Sequence, residues 1–163
     1  MPHLVITGAS AGIGAATADL FQSSGFSVVN LSRRPCPVEG VVDIACDLSQ
    51  QNFAEAISDD LDNALSDAQQ ITLIHNAALL INDNIAETSS EQLRRVREIN
   101  SVAASSLNQL LIPKMTSGSG VLYVGSTLGE KAVPNSFTYA TSTHAIIGMM
   151  RATCQDPVSY THL

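Results

Sequence analysis

Residues 7–14 read TGASAGIG, with Gly8, Gly12 and Gly14 in the spacing G-xxx-G-x-G. Before them lies HLVIT, a short apolar run with the make-up of a buried strand. After them, GIGAATADLFQSSG carries apolar residues at helical spacing and stops at Gly25. Strand, glycine turn and helix in that order set the free N–H groups of a helix start beside a turn that glycine allows to pass close to a ligand. Those N–H groups and the partial positive charge of the helix end suit a phosphate. The pattern alone is weak, and its bland reading is a tight turn; between a strand and a helix it is strong. A GxxxxGK[ST] loop is excluded, because no Lys follows the glycines.

The alternation continues outward. FSVVNLS, GVVDIACD, ITLIHNAA and GVLYVGS read as further strands. SQQNFAEAISDDLDNALSDA reads as one amphipathic helix capped by Ser49. SSEQLRRVREINSVAASSLNQLLIPKM reads as a long helical region starting at Ser89 or Ser90, and a last helix begins near Asn135. Strands alternating with helices through short turns imply a Rossmann-type doubly wound α/β domain, a parallel sheet with helices on both faces. No repeat, low-complexity tract or linker interrupts it.

Composition agrees. Of 163 residues, 45% are hydrophobic and 14% charged, which is globular and suits a sheet buried on both faces. The net charge of −7 argues against a nucleic-acid partner, which needs a basic patch. Arg94, Arg95 and Arg97 form the one local basic cluster and read most simply as a solvated helix face. Three scattered cysteines, Cys36, Cys46 and Cys154, read as free buried thiols in a reducing compartment. The N-terminus has no signal-peptide pattern and no apolar run reaches the length of a membrane span, so the expectation is a cytoplasmic protein with no membrane partner. The histidines show no ligand spacing, and no metal is expected.

Further residues carry a family resemblance. TGASAGIG, Asp47 in CDLS, HNAA at 75–78, Asn100 in REINSVAA, Ser126 in YVGSTLG and Tyr139 in SFTYATSTHA stand in the order seen in short-chain dehydrogenases/reductases. Ser126 precedes Tyr139 by thirteen residues, the usual family interval. HNAA departs from the family's NNAG at His75 and Ala78, so that match rests on Asn76 and Ala77. The resemblance covers residues 3 to 155. It implies hydride transfer between a nicotinamide and a small carbonyl or alcohol substrate. Tyr139 would be the acid/base, Ser126 the donor that orients substrate, and Asn100 the relay residue that also shapes its helix. The cofactor would meet Thr7, Gly8, Ser10, Gly12, Ile13, Gly14, Asp47, Leu48, Asn76, Ala77, Ala78 and Tyr139, with Asp47 on the adenine amino group. The intact protein would be a homodimer or homotetramer packed through Asn100–Met115 and Phe137–Thr153.

The second strand ends at Ser32, where a carboxylate would favour NAD by binding the ribose 2′-hydroxyl. None is present, and Arg33 and Arg34 follow, able to pair with a 2′-phosphate. The expected cofactor is therefore NADP(H), with NAD(H) second. The alternative is that both arginines are solvated and either cofactor is accepted.

Tyr139 raises a difficulty. A phenol ordinarily titrates near pH 10, and bringing it to working pH needs roughly 3 units, or about 4 kcal/mol. A cation four residues on, on the same helix face, would supply this. The family has Lys there; this chain has Thr143, and His144 points elsewhere around the helix. The chain as written is expected to turn over poorly. Thr143 is either a sequence error, one A-to-C change from Lys, or the mark of a dinucleotide-binding pseudo-enzyme or sensor.

The end of the chain breaks the pattern. Residues 1–156 read as the NAD(P)-binding domain and 157–163 as a non-native tail. Val158 to Leu163 can be spelled by GTC TCT TAT ACA CAT CT plus any base, the end of a transposase adapter used in sequencing libraries. A natural polar tail is the alternative. On the adapter reading the domain lacks its C-terminal strands, exposes an apolar strand edge and has an unfinished helix layer. A non-functional gene fragment would not fold cooperatively at all.

Overall fold

The computed structural model describes residues 1–155. The tail expected at 157–163 lies outside the described residues. Five parallel strands form one sheet: β1 (Pro2–Thr7), β2 (Ser27–Ser32), β3 (Val42–Ala45), β4 (Gln70–His75) and β5 (Gly120–Tyr123), in the order β3-β2-β1-β4-β5. β1 is central, with Val5 opposite Val29 on one side and Leu73 on the other. Helices cover both faces, as a doubly wound sheet requires. α1 (Gly12–Ser23) packs on β1 and β2. Its face holds Leu4, Ile6, Ala18, Val28 and Ile74. The opposite face holds Val5, Val29, Leu31, Leu73 and Val121, and packs against Phe53, Leu61, Leu107 and Leu111. Successive strand residues thus feed opposite cores, and both cores are apolar.

The expected single helix over 49–68 is two short ones, α2 (Phe53–Ala56) and α3 (Ser58–Ala64). Ser49 does not cap them. Its N–H and hydroxyl both bond Asp47 Oδ1, at 3.0 and 2.8 Å, so a local side-chain bond outcompetes the helix. The helix breaks at Ile57, where Ser58 Oγ bonds back to Glu55 O. The apolar stripe Phe53, Ile57, Leu61 and Leu65 stays buried across the break.

The long helical region is also composite. α4 (Ser90–Arg97) leads into a π-helical segment, Glu98–Val102, then α5 (Ala103–Leu111) and a 3-10 turn, Ile112–Lys114. Ser89 caps α4 by accepting the Gln92 N–H at 3.1 Å, and Arg94, Arg95 and Arg97 fill its last turn. α6 (Phe137–Gln155) starts after Asn135, which takes φ 60°.

Two further expectations meet the structure here. The cysteines are free but not fully buried: Cys36 and Cys46 are half-buried and Cys154 is exposed. Burial and the neighbouring Asp47 push the Cys46 thiol up to about 11. Among the described residues β5 is the last strand on its side of the sheet. Leu122 on β5 is 51% exposed and stands beside Ile74, which is 5% exposed. Among the described residues no helix is long and apolar enough to cross a membrane, and no His/Cys/Asp/Glu group could hold a metal.

Candidate active site

The glycine turn is built by mutual contact of strand ends. Thr7 Oγ1 accepts the N–H groups of Asn76 and Ala77, both at 3.0 Å, and Asn76 Nδ2 donates to Thr7 O and Gly8 O at 2.9 and 3.2 Å. β1 and β4 are therefore tied at their C-terminal ends, where ligands bind in open α/β sheets. A β-carbon on Gly14 would meet Gly8 O at 2.4 Å and Asn76 Nδ2 at 2.6 Å, so only glycine lets α1 begin here. The α1 N-terminus has no side-chain cap and no acidic residue in its first turn. Its orphan N–H groups face a cleft lined by Gly8, Ser10, Ala11, Ile13 and Gly14. Gly12, also expected to meet the cofactor, opens α1 with φ 58° but is not among the lining residues.

The other walls of the cleft, which encloses about 410 Å³, include Ser32, Arg33, Arg34, Asp47, Leu48, Asn76, Ala77 and Ala78. Ser49's backbone and side-chain bonds hold the Asp47 carboxyl below the usual carboxylate range, against its partial burial, and the charges of Arg33 and Arg95 add to this. Arg95 and Ile99 also line the cleft, so one member of the arginine cluster faces the site instead of bulk solvent alone. A chain with a glycine turn, an uncapped helix start and arginines around one carboxylate fits a phosphate-rich ligand.

A second, smaller cavity of about 40 Å³ adjoins the cleft, and Leu48, Ala77, Ala78 and Ile99 line both. Tyr139, Thr143 and Asn100 line it together. Asn100 sits in the π segment and is 7% exposed. Its amide donates to Leu79 O and Ser142 Oγ, both at 3.0 Å, and its Oδ1 accepts the Leu79 N–H at 2.7 Å. One side chain thus ties the loop after β4 to α6, which carries Tyr139. Ser126 is not among the lining residues. Its Oγ accepts the Leu128 N–H at 3.2 Å and caps the turn Thr127–Gly129. Thr143 Oγ1 donates to Leu128 O at 2.8 Å, with Tyr139 O and Ala140 O at 3.0 and 3.1 Å, so it pins α6 to that turn. His144 bonds Ala140 O at 2.9 Å and lies outside this cavity, and no Lys or Arg lines it.

Sequence reading missed three groups. Asn30, 1% exposed in β2, accepts the Ala9 N–H at 2.9 Å and donates to Asp43 Oδ1 at 2.8 Å, which also accepts the Cys36 N–H. It fastens the glycine turn to the loop carrying Arg33 and Arg34. Asp83 accepts the Thr138 N–H at 3.0 Å and a Gln92 amide at 2.9 Å, capping α6 from a distant loop. Burial raises the Asp83 carboxyl, but the bonds from Thr138, Gln92 and Thr88 outweigh this and hold it below its ordinary value. His75 stacks on Tyr123 and bonds Asn108 at 2.9 Å, and Asn108 donates to Tyr123 Oη at 2.6 Å. Burial lowers His75 to about 4, although the Asn108 bond opposes it, so the ring is neutral beside the cavity. A polar residue inside an apolar strand signalled Asn30; nothing local signalled Asp83.

Comparisons with known proteins add relatives. A family model described as short chain dehydrogenase matches residues 2–161. Protein FixR of Bradyrhizobium diazoefficiens is 30% identical, covering 94% of this chain and 60% of its own length. A short chain dehydrogenase family protein from Francisella tularensis superposes with TM-score 0.88 at 26% identity, covering 100% of this chain and 67% of that one. An oxidoreductase of the same family from Brucella ovis, solved with a partially ordered NAD, gives 0.79 at 27% identity over 93% of this chain and 75% of that one. The chain spans about half to three-fifths of the length of curated relatives such as FixR.

Proposed function

Because the chain belongs to the short-chain dehydrogenase family, we propose that it is the dinucleotide-binding part of an oxidoreductase acting on a small carbonyl or alcohol, with NADP(H) preferred. One observation carries the reading: the cleft of the Gly8–Gly14 turn and the cavity of Tyr139 share a wall of Leu48, Ala77, Ala78 and Ile99. A ligand held by its phosphates at α1 would have the Tyr139 cavity within its reach along that shared wall.

When bound, the nicotinamide supplies or accepts the hydride. The α1 N–H groups would hold the pyrophosphate, and Arg33 and Arg34 would pair with the 2′-phosphate. Asp47, whose carboxyl Ser49 holds below its ordinary value, would accept from the adenine amino group. Tyr139 moves the proton at the substrate oxygen. Ser126 would donate its own O–H to that oxygen while its Oγ still accepts the Leu128 N–H. Asn100 keeps α6 in register with the loop after β4. The whole protein would be a homodimer or homotetramer packed through Asn100–Met115 and Phe137–Thr153.

A second reading, dinucleotide binding without turnover, is favoured by Thr143. Its hydroxyl is engaged with backbone carbonyls, and no cation lines Tyr139's cavity. The test is NADPH-dependent reduction of a panel of small aldehydes and ketones by this chain, Thr143→Lys and Tyr139→Phe. The catalytic account expects Thr143→Lys to be faster by about 10²–10⁴ and Tyr139→Phe to be inactive. Activity in Tyr139→Phe equal to the parent would remove Tyr139 from the chemistry. Tight NADPH binding without turnover in both the chain and Thr143→Lys would favour the binding reading.

A further inference from the structure

We propose that Arg95, on α4, is a third recognition residue for the 2′-phosphate, acting from a different element than Arg33 and Arg34. The inference rests on the reading of the cleft as an NADP(H) site. The chain has 8 basic residues against 15 acidic ones, yet three of its arginines line this one cleft. Asp47 is the only carboxylate among the lining residues, and its Oδ1 already accepts the Ser49 N–H and hydroxyl. Lys114 is paired with Asp62, whereas Arg33, Arg34 and Arg95 have no salt-bridge partner among the described residues. A cleft in an acidic protein with three unpaired guanidinium groups is built for an anion.

Arg95 is singled out from its own cluster. It and Ile99, one turn later on the same helix face, line the cleft, while Arg94 and Arg97 do not. The backbone that carries it is anchored by fully buried Val96 and by the Ser89 cap. Its field reaches the adenine end, since Asp47 is stabilised as a carboxylate by both Arg33 and Arg95. A guanidinium on a fixed helix offers a planar fork that suits a phosphate better than an ammonium does. Two elements then grip the phosphate where the sequence reading gave one.

NADPH and NADH are titrated, by nicotinamide fluorescence, into the parent chain, Arg95→Met, Arg33→Met and Arg97→Met. Arg95→Met is expected to weaken NADPH binding about tenfold and to leave NADH within about twofold, which also reports that the variant is folded. Arg97→Met changes neither. Unchanged NADPH affinity in Arg95→Met, with Arg33→Met weakened, overturns this inference and keeps the cofactor reading. Equal loss of both cofactors in Arg95→Met also overturns it, because the contact is then to the shared adenosine. A parent chain that binds NADPH no more tightly than NADH overturns the cofactor reading together with the inference.

Discussion

A β-carbon on Gly14 would stand 2.4 Å from Gly8 O, a distance real contacts do not reach. The obstacle is backbone, so it cannot swing aside. Gly14→Ala is expected to shift the start of α1 and to weaken dinucleotide binding at least about tenfold, measured by the same titration. Asn30 belongs to this scale as well. Replacing it with Leu leaves the Ala9 N–H buried without a partner and frees the Arg33–Arg34 loop. The expected cost is about 1–3 kcal/mol in denaturant unfolding. His75 adds a pH signature. Its value falls from 6.5 unfolded to about 4 folded, so between those values the unfolded chain binds more protons. Stability should rise with pH across that window, by up to about 3 kcal/mol, and be lost on acidification. His75→Asn should flatten the slope; an unchanged slope would show that His75 does not cause it.

At the scale of elements, α6 carries Tyr139, and three contacts hold it. Asp83 caps its start, Asn100 meets Ser142, and Thr143 reaches Leu128 O. Asp83 has a lowered folded value, so its contribution is full above the unfolded aspartate value, about 3.9, and is lost as pH falls through the folded one. Asp83→Asn should therefore lose stability near neutrality and show a shallower acid limb. Periodicity revealed the strands and α1, because both depend on neighbours in sequence. The glycine turn was legible for the same reason, whereas the Ser126–Tyr139 interval was read from the family resemblance and Ser126 does not line the Tyr139 cavity. The cap from Asp83 spans 55 positions and leaves no local trace. The break at Ile57 was hidden because the apolar stripe runs through it unaltered. The π segment was hidden because Asn100 needs Leu79 and Ser142 to justify its place. Arg95 looked like surface because its partner wall, β2 and its loop, is far off in sequence.

Across the whole molecule, the sheet is covered unevenly. α1 covers β1 and β2, while Leu122 on the β5 edge stays 51% exposed on that face. An apolar edge strand invites pairing with a second chain. Leu122→Lys should reduce self-association in sedimentation without lowering the unfolding midpoint; equal association in both would place the contact elsewhere. The cleft of the glycine turn and arginines adjoins the Tyr139 cavity through Leu48, Ala77, Ala78 and Ile99, and on the proposed reading the two serve one ligand. The measurement that tests this most directly is equilibrium titration of the unmodified chain with NADPH and NADH. Saturable NADPH binding, tighter than NADH by about tenfold, is the predicted result. No binding of either, or tighter binding of NADH, would contradict it.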